Sequence, residues 1–506
     1  VFMSKQNEES LASYIGITGP ETPKYLLVNN FLAEFFAVAQ SDKGKQFTYE
    51  DFQKAGILVC EEDNESKKQQ LQASFNRFFQ HFSGEDMIRT TRYKNQYFYF
   101  PVKPSMLRSS TTSLRHLLFN MLLDIDKPDQ FQKMQNQLAD YLYGSVSGVD
   151  YLLSELCEKL GDKTVPDSAQ ESGRRKLEFD YLRRKPFRII CENFERDLQC
   201  LLTHRFFKEL DFYRRYDYLA TLLNSYVIQF ILKRSAENDG KGRGYILCQG
   251  SASSHLLGRG EFHRACVQNY AEIRSMFPRK LKEFYVKRLE EMVGKEKIIE
   301  IWNDGDELYV EDNASNITFI EFVRQAFDSS FRSGQSLYPA IRKVFKIHEE
   351  SKRYRFTIDE FAMYYIDATK ARRGSTLTKI SSTLPTVGKD IEFVFPKSQS
   401  RHKFFAMSPS LLEFYIRLYL AKEDRPYAYL DNFLQYMEEV YYICLVKSKN
   451  MDDVLKKLQI RVPFQEFRLN EQALLENLEA INCLVRLSDS GYVVALPEEK
   501  GEFRLL

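Results

Sequence analysis

Cys483-Leu484-Val485-Arg486-Leu487-Ser488-Asp489-Ser490-Gly491-Tyr492-Val493-Val494-Ala495-Leu496 carries the clearest fold signal in the chain. Two runs rich in β-branched and apolar residues flank a Ser-Asp-Ser-Gly turn, which is the chemistry of a β-hairpin. Reading back from it, residues 470–478, 429–442 (with Asp431 near the start) and 408–420 have helical spacing. Three helices closed by a hairpin is the order of a winged helix. A C-terminal winged-helix-like domain is therefore expected over residues 408–506.

The same rhythm runs through residues 24–104. An apolar helical stretch at 25–39 is followed by the turn Ser41-Asp42-Lys43-Gly44-Lys45. Thr48 and Asp51 have the spacing of a capping box and start a short helix. Leu71, Phe75, Phe78, Phe79 and Phe82 then line one face of a longer helix, and residues 87–100 read as a hairpin turning near Lys94-Asn95. The expected fold class is mainly α: a multidomain helical protein with winged-helix-like modules at both ends. The first spans residues 1–106. A central helical domain spans 107–368, with a polar linker near 161–173 and a basic glycine loop at 239–244. Residues 213–234 are its strongest helix and 245–248 are strand-like. Residues 369–407 read as a polar linker in which Ile391-Glu392-Phe393-Val394-Phe395 alternates like a strand closed by Pro396.

Composition limits the function. The chain has 506 residues, 43% hydrophobic and 28% charged, which is enough apolar material for a core and excludes a disordered tail or a disulfide miniprotein. Lys plus Arg (72) nearly balance Asp plus Glu (70), so binding of nucleic acid must come from local patches. The most apolar stretch, 219–232, contains Asn224, Ser225 and Gln229 and reads as a buried helix. Val1-Phe2-Met3-Ser4-Lys5-Gln6 has no signal-peptide pattern, and Met3 reads as the natural start. Eight cysteines are scattered without paired spacing, so a reducing, cytoplasmic location is expected.

Few residues carry recognisable chemistry. Gly240-Lys241-Gly242-Arg243-Gly244 lacks the order of a phosphate-binding loop and precedes a strand, which argues against a P-loop ATPase. Ser253, Ser254 and His255 lack a nucleophile elbow. Cys248, His255, His263 and Cys266 form the single Cys/His cluster. Their residue types suit a structural zinc, and His263 and Cys266 share a helix face at i, i+3. The competing reading makes them ordinary helix residues beside a serine-rich loop. Asp390 and Glu392, with Lys389 and Lys397 nearby, are the closest approach to a nuclease metal site.

Basic runs say more. The candidate nucleic-acid contacts are Arg89, Arg92 and Lys94 in the first hairpin, Arg174 and Arg175, Arg183 and Arg184, Lys241 and Arg243, and Arg372 and Arg373 before Gly374-Ser375-Thr376. Arg214-Arg215, flanked by Tyr213 and Tyr216, is another run. For each, the ordinary reading is a solvated or salt-bridged face. Glu178, Asp180 and Glu192 favour that reading in the centre, and the first hairpin and the Arg372–Arg373 loop lack such neighbours.

The expectation is a non-catalytic scaffold subunit of a multi-protein DNA-handling complex. It would hold other protein subunits, such as a motor or nuclease, touch DNA through local basic loops, and stay off membranes. Bacterial anti-phage defence or chromosome and plasmid maintenance is the setting that fits, and no cofactor is expected beyond the zinc. Two rivals stand beside it. A transcriptional regulator would read bases through Gln72, Asn76 and Arg77 or through Asn470, Gln472 and Asn477. A divergent metal-dependent nuclease would use Asp390 and Glu392.

Overall fold

The computed structural model describes residues 11–17, 19, 24–35, 49–54, 64–82, 113–122, 128–143, 180–184, 187–237, 244–249, 260–293, 298–304, 307–310, 317–327, 353–370, 375–398, 400, 402–487 and 491–498. Over these the protein is mainly helical, with a few small sheets. The helices are α1 (Leu11–Ile15), α2 (Lys24–Phe35), α3 (Tyr49–Lys54), α4 (Glu65–Phe82), α5 (Ser113–Asn120), α6 (Pro128–Tyr143), α7 (Phe187–Thr203), α8 (Arg205–Lys208), α9 (Phe212–Ala236), α10 (Glu261–Arg274), α11 (Met276–Val293), α12 (Phe319–Phe327), α13 (Ile358–Lys370), α14 (Thr376–Ser381), α15 (Thr383–Asp390), α16 (Pro409–Glu423), α17 (Leu430–Tyr441), α18 (Lys449–Leu458) and α19 (Phe464–Ala480). The strands are β1 (Tyr245–Ile246), β2 (Ile298–Asp304), β3 (Glu307–Val310), β4 (Ile317–Thr318), β5 (Arg353–Thr357), β6 (Val394–Phe395), β7 (Phe404–Phe405), β8 (Tyr427–Tyr429), β9 (Ile443–Cys444), β10 (Leu484–Arg486) and β11 (Tyr492–Ala495). Among the described residues no helix is long and apolar enough to cross a membrane.

The chain divides into two units, residues 1–20 with 274–383, and residues 21–273 with 384–506. The larger is built round α9. Asp211 starts this helix by accepting the Arg214 N–H at 3.0 Å, which satisfies one of the free donors of the first turn. Leu219, Leu222, Leu223, Val227 and Phe230 are all buried, because α2, α5, α6 and α7 pack round the helix. Each such side chain contributes about 1.5–3 kcal/mol. A helix apolar on all sides is a core helix. Aromatic contacts lock the surrounding layer: Phe35 stacks on Phe131 at 5.7 Å, and Phe31 meets Phe194 edge-on at 6.3 Å.

Strand β1 follows α9 and runs parallel to β9, with Tyr245 opposite Ile443 and Ile246 opposite Cys444. Gly244 permits the approach, since a Cβ there would stand 3.0 Å from the Tyr442 carbonyl oxygen. Behind this pair Ile246, Cys248, Phe262, Cys266, Cys444, Val454, Leu455 and Phe467 form one core cluster. The polar run before it is more ordered than its composition predicts. Ser375 caps α14 by accepting the Thr378 N–H at 3.2 Å, and α15 follows. The expected strand shrinks to Val394–Phe395, paired with β7. The cause is a tight reversal: Glu392 has φ 60°, and the Phe393 N–H returns to the Gly388 carbonyl at 2.6 Å. A Cβ on Gly388 would collide with Val394 at 2.3 Å.

The smaller unit holds a four-stranded antiparallel sheet in the order β4-β3-β2-β5. Ile299, Ile301, Leu308, Val310 and Phe356 point inward. Phe327 lies flat on Tyr365 at 3.6 Å in the adjoining layer. The other face carries Trp302 stacked on Tyr309 at 6.0 Å and the ion pair Glu300–Arg355 at 2.7 Å. Leu71, expected in the apolar stripe of α4, is exposed. The hairpin expected at 87–100 lies outside the described residues.

Candidate functional site

After α16 the chain forms β8, α17, β9, α18, α19 and the hairpin β10–β11. The hairpin pairs Val485 with Val493 and Leu484 with Val494. Strand β8 adds to its other side, with Tyr429 opposite Val493 and Tyr427 opposite Ala495, so the sheet order is β10-β11-β8. Inward-facing residues of α17–α19 (Phe433, Met437, Val454, Leu455, Phe467, Leu474 and Leu478) are buried.

Three polar fastenings join these elements to the helical body. The first is Asp197 of α7, which is 0% exposed. Its Oδ2 accepts the Tyr226 and Tyr441 hydroxyls, each at 2.5 Å, and its Oδ1 faces the Lys422 ammonium in an ion pair. Lys422 also donates to the Tyr436 hydroxyl at 2.8 Å. Helices α7, α9, α16 and α17 thus converge on one carboxylate. Burial, and then the Asp197 charge, push the Tyr226 and Tyr441 phenols well above their ordinary value. Burial does the same to Tyr415 and Tyr436. The Cys200 thiol beside them is pushed up to about 12. These groups keep their protons near neutral pH, so the phenols act as hydrogen-bond donors to the buried carboxylate.

The second fastening is Arg417 of α16, also buried. It donates to the Phe206 carbonyl at 3.0 Å and to Glu413 at 3.1 Å, and it pairs with Glu498. Tyr218 of α9 donates to the same Glu413 oxygen at 3.2 Å, and burial raises its hydroxyl to about 12. Burial alone would raise the Glu498 carboxyl, but the Arg417 bond and charge outweigh it and hold that carboxyl below its ordinary 4.5. A depressed carboxyl stabilises the fold above its unfolded pKa, and that contribution is lost as pH falls through the folded value. Thermal melts of wild type and Glu498→Gln should therefore differ most above pH 4.5 and converge below it. An acid profile with the same shape in both proteins would refute this role.

The third fastening is made by α19. Asn470, buried, accepts the Gln249 N–H at 2.7 Å and donates to the Leu247 and Leu445 carbonyls at 3.2 and 3.1 Å. Glu466 accepts the Phe262 N–H at 2.7 Å and so caps the start of α10 from another helix. Gly260 leaves room for it, since a Cβ there would meet the Glu466 carboxylate at 2.4 Å. Glu466→Ala should lower stability by about 1 kcal/mol, the usual worth of an N-cap. Chemical denaturation would read the change, and an unchanged midpoint would remove the cap from the account.

Some of the expected site residues lie among the described residues. Arg183 ends the short 3-10 helix Asp180–Arg183, and Arg184 follows it; both are exposed. Arg188, beyond them, pairs with Glu192 at 2.9 Å. Arg89, Arg92, Lys94, Arg174, Arg175, Lys241, Arg243, Arg372, Arg373 and His255 lie outside the described residues. Cys248 and Cys266 do meet. Burial first, and then the bond to Cys248, drive the Cys266 thiol well above its ordinary value. His263 instead sets its ring edge-on against Phe404 at 4.8 Å. Among the described residues no three His, Cys, Asp or Glu side chains gather as a metal-binding group. Asp390 ends α15 while Glu392 turns away and pairs with Lys397, so the two carboxylates do not share a strand face. Gln72 of α4 donates to Glu50 at 3.3 Å.

The outer face of α19 presents Gln465, Arg468, Glu471, Gln472, Glu476 and Glu479, three carboxylates against one guanidinium, so its net charge is negative. Gln472 is bonded to Glu476 at 3.0 Å. At the sheet edge Tyr427 and Tyr429 are 37% and 61% exposed. At the start of α19 Phe464 is 59% exposed, with the Arg468 guanidinium over its ring at 5.2 Å. Comparison with known protein families, with curated proteins and with solved structures finds no match for this chain.

Proposed function

We propose that the protein is a non-catalytic scaffold subunit of a multi-protein DNA-handling complex, with winged-helix-like modules at its two ends and a helical body between them. One observation carries this reading: the helix that a winged helix would lay in the major groove, α19, has an acidic outer face and spends Asn470 on the protein's own backbone. Carboxylates repel phosphates, and major-groove readers depend on phosphate neutralisation for much of their affinity. A helix face of net negative charge, and at the far edge of the sheet the exposed Tyr427 and Tyr429, suit a protein partner. DNA contact falls to the basic segments at 89–94, 174–175, 183–184, 241–243 and 372–373. Anti-phage defence or plasmid and chromosome maintenance is the setting in which such a subunit would serve.

The regulator reading loses support from the same helix. The nuclease reading draws none from Asp390 and Glu392. The test is a pull-down of the tagged full chain from its own host, with and without nuclease treatment, analysed by mass spectrometry. Stoichiometric recovery of a motor or nuclease subunit that survives nuclease treatment is expected. Recovery of the chain alone, or of partners lost together with the DNA, would overturn the scaffold reading.

A further inference from the structure

The basic run Arg214-Arg215 separates in the fold. Arg214 is exposed, whereas Arg215 is 2% exposed in the first turn of α9, against the last turn of α6. Its guanidinium lies over the Tyr141 ring at 5.9 Å, and the Tyr141 hydroxyl donates to the Arg215 carbonyl at 3.1 Å, which fixes the two elements together. Among the described residues, the Arg215 Nε and Nη2 donors meet no acceptor. Two carboxylates stand near enough to be felt, and both are committed elsewhere. Asp140 pairs with Lys208 at 2.6 Å, and Asp211 accepts the Arg214 N–H at the helix start. Neither forms an ion pair with Arg215. Burial accordingly lowers the Arg215 pKa from its ordinary value.

Two buried guanidinium donors without an acceptor are a costly arrangement. Nε and Nη2 together form the side-on fork that receives two oxygens of one oxyanion. The positive end of the α9 dipole lies in the same turn, and Arg214 supplies a second charge at the surface. We propose that Arg215 anchors a binding site for a single phosphate group carried by a small ligand, seated between the first turn of α9 and the last turn of α6, with Arg214 at its mouth. Two positive charges and a helix start favour the phosphate dianion over a carboxylate. The site stands apart from the scaffold reading, because it concerns one buried group and no DNA backbone.

The probe is inorganic phosphate, titrated into the full chain at constant ionic strength, with acetate and chloride in parallel. Thermal melting and the phosphorus NMR linewidth of phosphate are the readouts. The wild type should show a saturable rise in melting temperature and line broadening with phosphate alone. Arg215→Lys keeps the charge and removes the fork, so its apparent Kd should rise about tenfold or more. Arg215→Met should abolish the effect, and Arg214→Ala should weaken it less. Should the Met variant fail to fold, the Lys variant and the wild-type NMR titration still decide. Stabilisation no greater than chloride gives, a response to acetate alone, or phosphate binding retained in Arg215→Lys would each overturn the proposal.

Discussion

Asp197→Ala should lower the unfolding free energy by about 3–5 kcal/mol, the range for removing one partner of a buried ion pair. The reasoning starts from what remains. Asp197 is fully buried, and its loss leaves the Lys422 ammonium, only 17% exposed, facing two phenols that have lost their acceptor. Each phenol is a buried hydroxyl, and an unpaired one costs roughly 1–3 kcal/mol. Asp197→Asn keeps an acceptor and a similar shape, so it should cost less. The double replacement Asp197→Leu with Lys422→Met removes both charges and should recover part of the loss, because two apolar groups need no partner. Urea unfolding of wild type, Asp197→Leu, Lys422→Met and the double variant gives the coupling energy. A single-variant loss under about 1 kcal/mol would show that the ion pair is not a fastening.

Asn470→Leu should be the second large effect, at about 3 kcal/mol or more. The leucine has a similar volume and no polar atoms. It strands the Gln249 N–H and the Leu247 and Leu445 carbonyls, which the asparagine now satisfies. Each stranded buried group costs roughly 1–3 kcal/mol, and relaxation keeps the sum near the lower end. Hydrogen exchange adds a local readout, since the amides of Tyr245 and Leu247 bond across to the β9 strand and its flank. They should exchange faster in the variant. Unchanged stability and unchanged exchange would place Asn470 back among the candidates for reading DNA.

The parts of the fold legible in sequence were those with local chemistry. The 483–496 hairpin announced itself by its turn, and α9 by an unbroken apolar run. The β2–β3 hairpin carries an equally local signal, Asp304-Gly305 between alternating Ile299, Ile301 and Leu308, Val310, which the helical reading of 107–368 does not include. The fastenings were less accessible. Asp197 and Tyr441 are 244 residues apart, and a single aspartate on an amphipathic helix looks like a surface residue until another helix covers it. The inward position of Asn470 has a different origin. The residue falls at helical spacing with Phe467, Ala473 and Leu474, so the stripe itself turns it inward. That spacing was available and outweighs the residue's polarity.

The bonds that close the β1–β9 junction impose an order on synthesis. Gln249 waits for Asn470, 221 residues later, and the whole of 274–383 is made in the interval. At ordinary elongation speeds of 5–20 residues per second the delay is roughly 10–45 s. Throughout it Ile246, Cys248 and Phe262 belong to a core whose other half has not left the ribosome. Residues 274–383 form a unit with residues 1–20, already made, and can fold in that time, while the β1–β9 junction cannot yet close. The core at this junction therefore stays open until α19 is made, and aggregation through Ile246 and Phe262 is a hazard of that interval alone.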